Sequence, residues 1–338
     1  MQTGLLNGIV ILLLQLSKSW GDILRKALIV GINNYPTSPL KGCVKDAVEM
    51  ATVLERDADG SPNFSVRLLT EPSDTITRGS LRQHIEQLFE GPSDVALFYF
   101  SGHGLVNSSG GLIVTPDHSA GDEGISMDQI LNWANRSRAR EKVIILDCCH
   151  SGQFASPALD GGEVARLGDG LTVLTASRAS EYAMERGGSG VFTSLIIDAL
   201  YGGAADLRGF VTPGGIYSYV DSALGDWEQR PVFKTNVSRF THLRRVIPPI
   251  PIETVRKIKE FFPVPEHEYP LDPSFEDTVE GHSPTNALLF KQLQKMFSVG
   301  LVRPVGEEFM YFAAMNTKSC RLTALGYQYW RMVDENKL

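Results

Sequence analysis

Two apolar runs that each end in reactive side chains constrain this chain more than any other feature. One is Val95-Ala96-Leu97-Phe98-Tyr99-Phe100, followed by Ser101-Gly102-His103-Gly104. The other is Val143-Ile144-Ile145-Leu146, followed by Asp147-Cys148-Cys149-His150-Ser151-Gly152. Four or more consecutive apolar residues bounded by polar ones predict a strand buried on both faces, as in a parallel sheet. Open α/β folds carry their sites at the carboxyl edge of such strands. One strand therefore delivers a histidine, and another a cysteine, to what should be one edge.

The rest of the chain is consistent with that frame. Buried strands are predicted at 27–32, 66–69, 112–114 and 171–175, with a last one near 231–233. Between them, helical spacing of apolar residues follows Cys43, recurs at Leu81, Ile85 and Leu88, and returns at 128–133 and 191–200. This alternation predicts an α/β domain with helices on both faces of a mostly parallel sheet, spanning 26–245. Residues 1–25 form an apolar extension. Its run from Leu5 to Leu16 is too short to cross a membrane and has no basic residue before it, so no membrane partner is expected. Residues 246–285, opening with Val246-Ile247-Pro248-Pro249-Ile250-Pro251, are predicted to be a proline-rich linker and irregular segment. A second unit, 286–338, has a helix through Leu288, Leu289, Leu293 and Phe297, a strand at 309–312 and a helix from 323 to 333.

Composition narrows the function classes. The chain has 338 residues, 43% of them hydrophobic, enough for one large domain and a smaller one. A net charge of −7 gives no general reason to expect nucleic acid. The four cysteines, Cys43, Cys148, Cys149 and Cys320, include one adjacent pair and no repeated spacing. That argues against a disulfide framework and for a reducing compartment, the cytoplasm. No phosphate-binding GxxxxGK loop occurs, so nothing supports a P-loop nucleotidase.

A thiol attacks a carbonyl as thiolate and needs a neighbouring base. His103 can supply it and later protonate the departing amine. Gly102 and Gly104 flank the histidine without side chains, and the N–H groups of Gly104 and Cys149 are the natural donors to an oxyanion. A zinc site from Cys148, Cys149 and His150 is disfavoured, because adjacent residues rarely converge on one ion; no metal is expected.

These two motifs resemble the histidine and cysteine motifs of the caspase-like cysteine peptidases, specifically the metacaspase branch. His103 precedes Cys149 by 46 residues, near the spacing of about 50 in the caspase signature. The resemblance covers roughly 26–245 and implies a caspase-like sheet and a Cys149/His103 dyad, with Cys148 as a packing neighbour. It also implies a pocket formed by Cys43, Asp46, Ser101 and Asp147. An acid two residues before the nucleophile suits a basic substrate residue, so the expected partners are proteins cut after Arg or Lys. Asp46 as a helix-surface charge and Cys43 as a core residue are the structural alternatives. Arg166, in the Gly- and Ser-rich loop after the cysteine motif, is a candidate for self-cleavage.

The order of elements in 286–338 resembles a winged-helix domain. Its basic residues are offset by acids, so a regulatory protein is expected as its partner and nucleic acid is not. Two competing functions stand beside the peptidase. One is a catalytically quiet caspase-fold scaffold; the other is a DNA-binding winged-helix regulator with an accessory peptidase domain.

Many metacaspases bind calcium through acids downstream of the histidine. Here Asp117 and Asp128 match such positions, but Met127 and Ser156 stand where further acids would be needed, so no cofactor is expected. Activity should therefore survive chelation; loss with a chelator and rescue by calcium would contradict this.

Overall fold

The computed structural model describes residues 25–107, 110–119, 122–148, 167–176, 185–186, 189–224, 231–238 and 241–338. The N-terminal extension before Arg25, and Cys149 through Arg166 with the proposed nucleophile and self-cleavage site, lie outside these residues. By internal contacts the chain divides into two units, one running to Val246 and the other comprising 247–338 with the short segment 206–209.

In chain order, the first unit begins with β1 (Arg25–Gly31), α1 (Cys43–Glu55), β2 (Ser65–Thr70), α2 (Arg78–Phe89) and β3 (Ser93–Ser101). A small antiparallel sheet follows, made of β4 (Gly104–Asn107), β5 (Gly110–Ser119) and β6 (Asp122–Ser126). Next come α3 (Met127–Arg136), β7 (Ala139–Asp147) and β8 (Leu171–Thr175), then the short pair β9 (Glu185–Arg186) and β10 (Ser189–Gly190). The unit closes with α4 (Val191–Asp198), β11 (Phe210–Val211), α5 (Pro213–Ala223), β12 (Val232–Asn236) and β13 (Arg244–Arg245). The main sheet has six strands in the order β12-β8-β7-β3-β1-β2. All pairs are parallel except β12 with β8.

Strand periodicity divides the apolar residues between two faces. Leu28, Val30, Phe98, Phe100, Ile144 and Leu146 pack with α2 and α3 on one face. Ala27, Ile29, Leu97, Tyr99, Val143 and Ile145 pack with α1, α4 and α5 on the other. The sheet is thus buried on both sides, which explains why its strands read as unbroken apolar runs.

Parallel pairing places the carboxyl ends of β1, β3 and β7 at one edge, in a register that aligns Gly31, Ser101 and Asp147 in one row. Helix α1 starts directly against that row. A Cβ on Gly31 would stand 2.3 Å from the Cys43 carbonyl oxygen and 2.7 Å from the Ala47 Cβ. Only glycine lets the first turn of α1 approach this closely.

The second unit contains α6 (Ile252–Arg256), α7 (Ile258–Phe261), β14 (Tyr269–Pro270), α8 (Pro284–Ser298), β15 (Val302–Val305), α9 (Met310–Met315), β16 (Ser319–Leu322) and α10 (Ala324–Asp334). Its strands form an antiparallel sheet in the order β14-β16-β15. Two sequence expectations are corrected here. Residues 246–285 are not simply linker, because Ile250, Val255, Ile258, Phe261, Phe262, Leu271 and Phe275 enter the core of this unit. The strand expected at 309–312 is helix α9 instead. Met310, Ala313 and Ala314 are buried at helical spacing while Phe309, Tyr311 and Phe312 face outward. A short apolar run does not by itself distinguish the two structures.

Replacing Gly31 by alanine should force α1 off the strand ends. We expect a loss of about 1–3 kcal/mol in unfolding free energy, the usual range for overpacking, read by chemical denaturation.

Candidate active site

His103 lies between the end of β3 and the start of β4, and the backbone there is unusual. The β4–β5 register pairs Gly104 with Ile113, so continuing it sets His103 opposite Val114. Val114 N–H donates to the His103 carbonyl at 2.9 Å. The reciprocal ladder bond is replaced by a side chain, Tyr35 from the loop after β1. The His103 N–H donates to the Tyr35 hydroxyl at 3.0 Å, and that hydroxyl donates to the Val114 carbonyl at 3.3 Å. Burial pushes the Tyr35 phenol well above its ordinary pKa, so it stays protonated and can serve both groups. Because hydrogen-bonded and non-bonded pairs alternate in antiparallel ladders, the N–H of Gly104 points away from β5.

The imidazole packs against Tyr35 with ring centroids 4.5 Å apart. Its Nε2 lies 2.7 Å from the Ser38 carbonyl oxygen. A carbonyl only accepts, so this contact assigns the proton to Nε2 and leaves Nδ1 with the lone pair in the neutral ring. Ser38 thereby fixes both the tautomer and the tilt of the base.

On the α1 side of the sheet edge, Asp46 and Asp147 come together around Gly190. Asp46, Ser101, Asp147 and Cys43 are all buried. Thr193 of α4 donates to Asp147 Oδ2 at 2.6 Å, and its hydroxyl oxygen lies 2.7 Å from that of Tyr99. With the Thr193 proton directed to the carboxylate, Tyr99 becomes the donor in the second bond. Desolvation raises the Tyr99 pKa well above its ordinary value, and the charges of Asp147 and Asp46 raise it further. Both carboxylates also flank Gly190. Its N–H donates to Asp46 Oδ2 at 3.1 Å, and a Cβ there would stand 2.4 Å from Asp147 Oδ2. Asp46 is therefore a buried acid beside Asp147, not a helix-surface charge, while Cys43 opens the same helix one turn earlier.

Several of these residues carry no signal in the sequence. Thr193 and Gly190 reach the acids from more than 40 positions away, and Ser38 acts through its backbone. Tyr35 and Tyr99 offered a weak one, since each is a phenol within or next to an apolar strand and a buried phenol needs a partner.

Cys148 is buried in the apolar cluster on the α2/α3 face, in keeping with a packing role. Asp117 accepts the N–H of Arg78 at 2.9 and 3.2 Å, at the first residue of α2. Met127 is buried, and Asp128 is exposed in the first turn of α3. Among the described residues, no group of three metal-ligating side chains comes together.

Removing only the Tyr35 hydroxyl, with Tyr35→Phe, should leave the His103 N–H and the Val114 carbonyl without their shared partner. A loss of about 1–3 kcal/mol in unfolding free energy is expected, measurable by urea titration; unchanged stability would contradict the assigned role.

Comparison with known proteins bears on the family and the fold. Residues 24–238, more than half of the chain, match the Caspase domain family. Metacaspase-2 and Metacaspase-3 of Trypanosoma brucei brucei are each 33% identical over 149 residues, or 38% of this chain. The match covers 42% and 41% of those proteins, so the chain spans less than half the length of these relatives. Among solved structures, protein GSU0716 from Geobacter sulfurreducens aligns with a TM-score of 0.50 at 16% identity, over 66% of this chain and 100% of that one. Caspase-1 from Spodoptera frugiperda aligns at 0.49 and 13% identity, over 66% and 91%. The extent of the family match, together with a histidine set beside a parallel-sheet edge, makes this chain a member of the caspase-domain family of cysteine peptidases.

Proposed function

We propose that the protein is a metacaspase-type endopeptidase that cleaves proteins after Arg or Lys. The observation that carries this reading is the burial of Asp46 and Asp147 together, with Asp147 paired to Ser101, two residues before His103. Two desolvated carboxylates favour a cation strongly, and a guanidinium or ammonium on a long apolar stem can reach them from the sheet edge.

The chemistry then follows from the histidine. Cys149 gives its proton to Nδ1 of His103 and attacks the carbonyl carbon, and the oxyanion is met by the N–H groups of Gly104 and Cys149. Collapse breaks the C–N bond as His103 returns the proton to the amine, leaving a thioester. Water activated by the same imidazole hydrolyses it. Calcium is not assigned a role, self-cleavage at Arg166 is compatible with the proposed preference, and the buried thiols Cys43, Cys148 and Cys320, none of them in a disulfide, fit a cytoplasmic protein.

For the second unit we favour a winged-helix-like protein-docking module. Helix α8 ahead of the antiparallel pair β15–β16, with β14 added to the sheet, supports that likeness. Its bases are matched by acids within the unit: Lys291 with Asp277 at 2.8 Å, Lys259 with Asp334 at 2.6 Å. That is a poor surface for phosphates. The full chain should show no salt-dependent binding to duplex DNA, and clear binding would favour the DNA-regulator reading.

The peptidase reading is tested with peptides ending in Arg, Lys or Asp. Arg and Lys peptides should be cleaved, Asp peptides should not, and Cys149→Ala should abolish turnover. Asp147→Asn should lower kcat/KM on Arg peptides by about 2–5 kcal/mol, the cost of losing one partner of a buried charge pair. Preference for Asp, or turnover by Cys149→Ala, would refute it. Retained folding without turnover by wild type would favour the scaffold.

A further inference from the structure

Helix α9 of the second unit spends its small residues on the core and its large ones on solvent. Met310, Ala313 and Ala314 are buried, while Phe309, Tyr311 and Phe312 are 49%, 42% and 47% exposed. The three rings form one patch: the Phe312 centroid lies 6.4 Å from that of Phe309 and 5.3 Å from that of Tyr311. A contiguous exposed aromatic cluster of this kind marks an interaction surface. Two acids lead into it. Glu307 accepts from Asn316 Nδ2 at 2.8 Å, Glu308 is exposed, and neither is in an ion pair among the described residues.

The same unit carries the complementary chemistry on its sheet. Register sets Arg303 of β15 directly opposite Arg321 of β16. The neighbouring pair, Val302 and Leu322, is buried in the core, so strand alternation sends both arginines to the solvent face. Like charges directly opposite one another destabilise a strand pair. Arg321 has only a half-exposed partner, Glu268 at 3.9 Å, and Arg303 is in no ion pair among the described residues. Negative charge brought from outside would relieve this pair.

We propose that the aromatic patch of one copy docks on the Arg303/Arg321 face of a second copy, so that the chain associates head to tail through its second unit. The inference deepens the docking-module reading of this unit by naming its partner, and it is independent of the peptidase reading. A guanidinium is attracted to the face of an aromatic ring. A carboxylate beside the ring adds charge attraction, and the contact would cover rings that now face water. Charge also fixes the symmetry. Two aromatic patches face to face would bring the Glu308 side chains of both copies together, and two sheet faces would do the same with the arginines. Either two-fold contact sets like charges against each other, whereas patch on sheet sets acids against bases. Such a contact uses different surfaces on the two copies and leaves one of each free, so association can continue into a ring or a row.

The test is sedimentation velocity on the full chain carrying Cys149→Ala, which keeps it intact, over a concentration series reaching about 100 μM, well above the micromolar range of transient complexes. The average mass should rise above that of one chain as concentration increases. Phe312→Ser should weaken association by about tenfold or more, the scale of a central aromatic contact. Glu308→Arg and Arg303→Glu should each weaken it too. All three side chains are exposed, and circular dichroism with a thermal melt checks that each variant is folded. Mixing the Glu308→Arg and Arg303→Glu chains should restore association, because one variant retains an intact sheet face and the other an intact patch. A single-chain mass at every concentration would overturn the proposal; without DNA binding it would leave the docking-module reading for a different protein. Association that survives Phe312→Ser would overturn it as well. So would association lost in Phe312→Ser but unchanged in Arg303→Glu, which would indicate patch-to-patch contact, or a mixture that stays monomeric.

Discussion

Parallel pairing of β1, β3 and β7 in one register is the constraint on which the rest of the site depends. Because the three strands run the same way, their carboxyl ends share an edge, and because their register is fixed, Gly31, Ser101 and Asp147 fall in one row. Every functional feature is referred to that row. Helix α1 is laid against its first member through a glycine, which carries Asp46 to the last two. The histidine follows its middle member by two residues. A one-residue slip between β3 and β7 would turn each side chain of the slipped strand to the opposite face. The double burial of these strands makes such a slip expensive.

The two acids at the row show how a polar recess is kept inside an apolar edge. Removing a carboxylate from water costs several kcal/mol unless hydrogen bonds replace its hydration. Thr193 and the N–H of Gly190 supply two of them, one to each acid. Behind them Tyr99 closes a Tyr99-to-Thr193-to-Asp147 relay in which each hydroxyl donates forward. The arrangement sets two buried carboxyl groups side by side behind the sheet edge, and the proposed specificity takes its physical basis from that pairing.

The histidine is held differently. It sits at the open end of the β4–β5 hairpin, and a phenol from another strand's loop occupies the place of one of the ladder hydrogen bonds there. This insertion satisfies both backbone groups while keeping them apart, and it ties the histidine loop to the loop after β1. The same loop supplies the Ser38 carbonyl to Nε2. Both the backbone and the ring of His103 therefore answer to one short segment.

The sequence by itself determined the sheet, most of its helices, the edge that carries the chemistry, and the residue types at the site, because strand burial and helical periodicity are local patterns with long runs behind them. Ser101, His103 and Asp147 follow apolar strands directly, so their place at the edge was legible, whereas Asp46 was singled out only through the resemblance to the metacaspase motifs. Helix α9 was not, since Phe309 to Phe312 is too short to betray its period and only the burial of Met310, Ala313 and Ala314 selects the helix. Nor was the proline-rich segment legible as core, because the partners of Ile250, Ile258 and Phe262 lie dozens of residues away. Tertiary structure alone decided which distant groups complete the site: Tyr35 in the hairpin, Ser38 on the imidazole, Thr193 and Gly190 on the acids. Those contacts join segments with no shared periodicity, and only folding brings their hydrogen-bond donors and acceptors within 3 Å or so of one another.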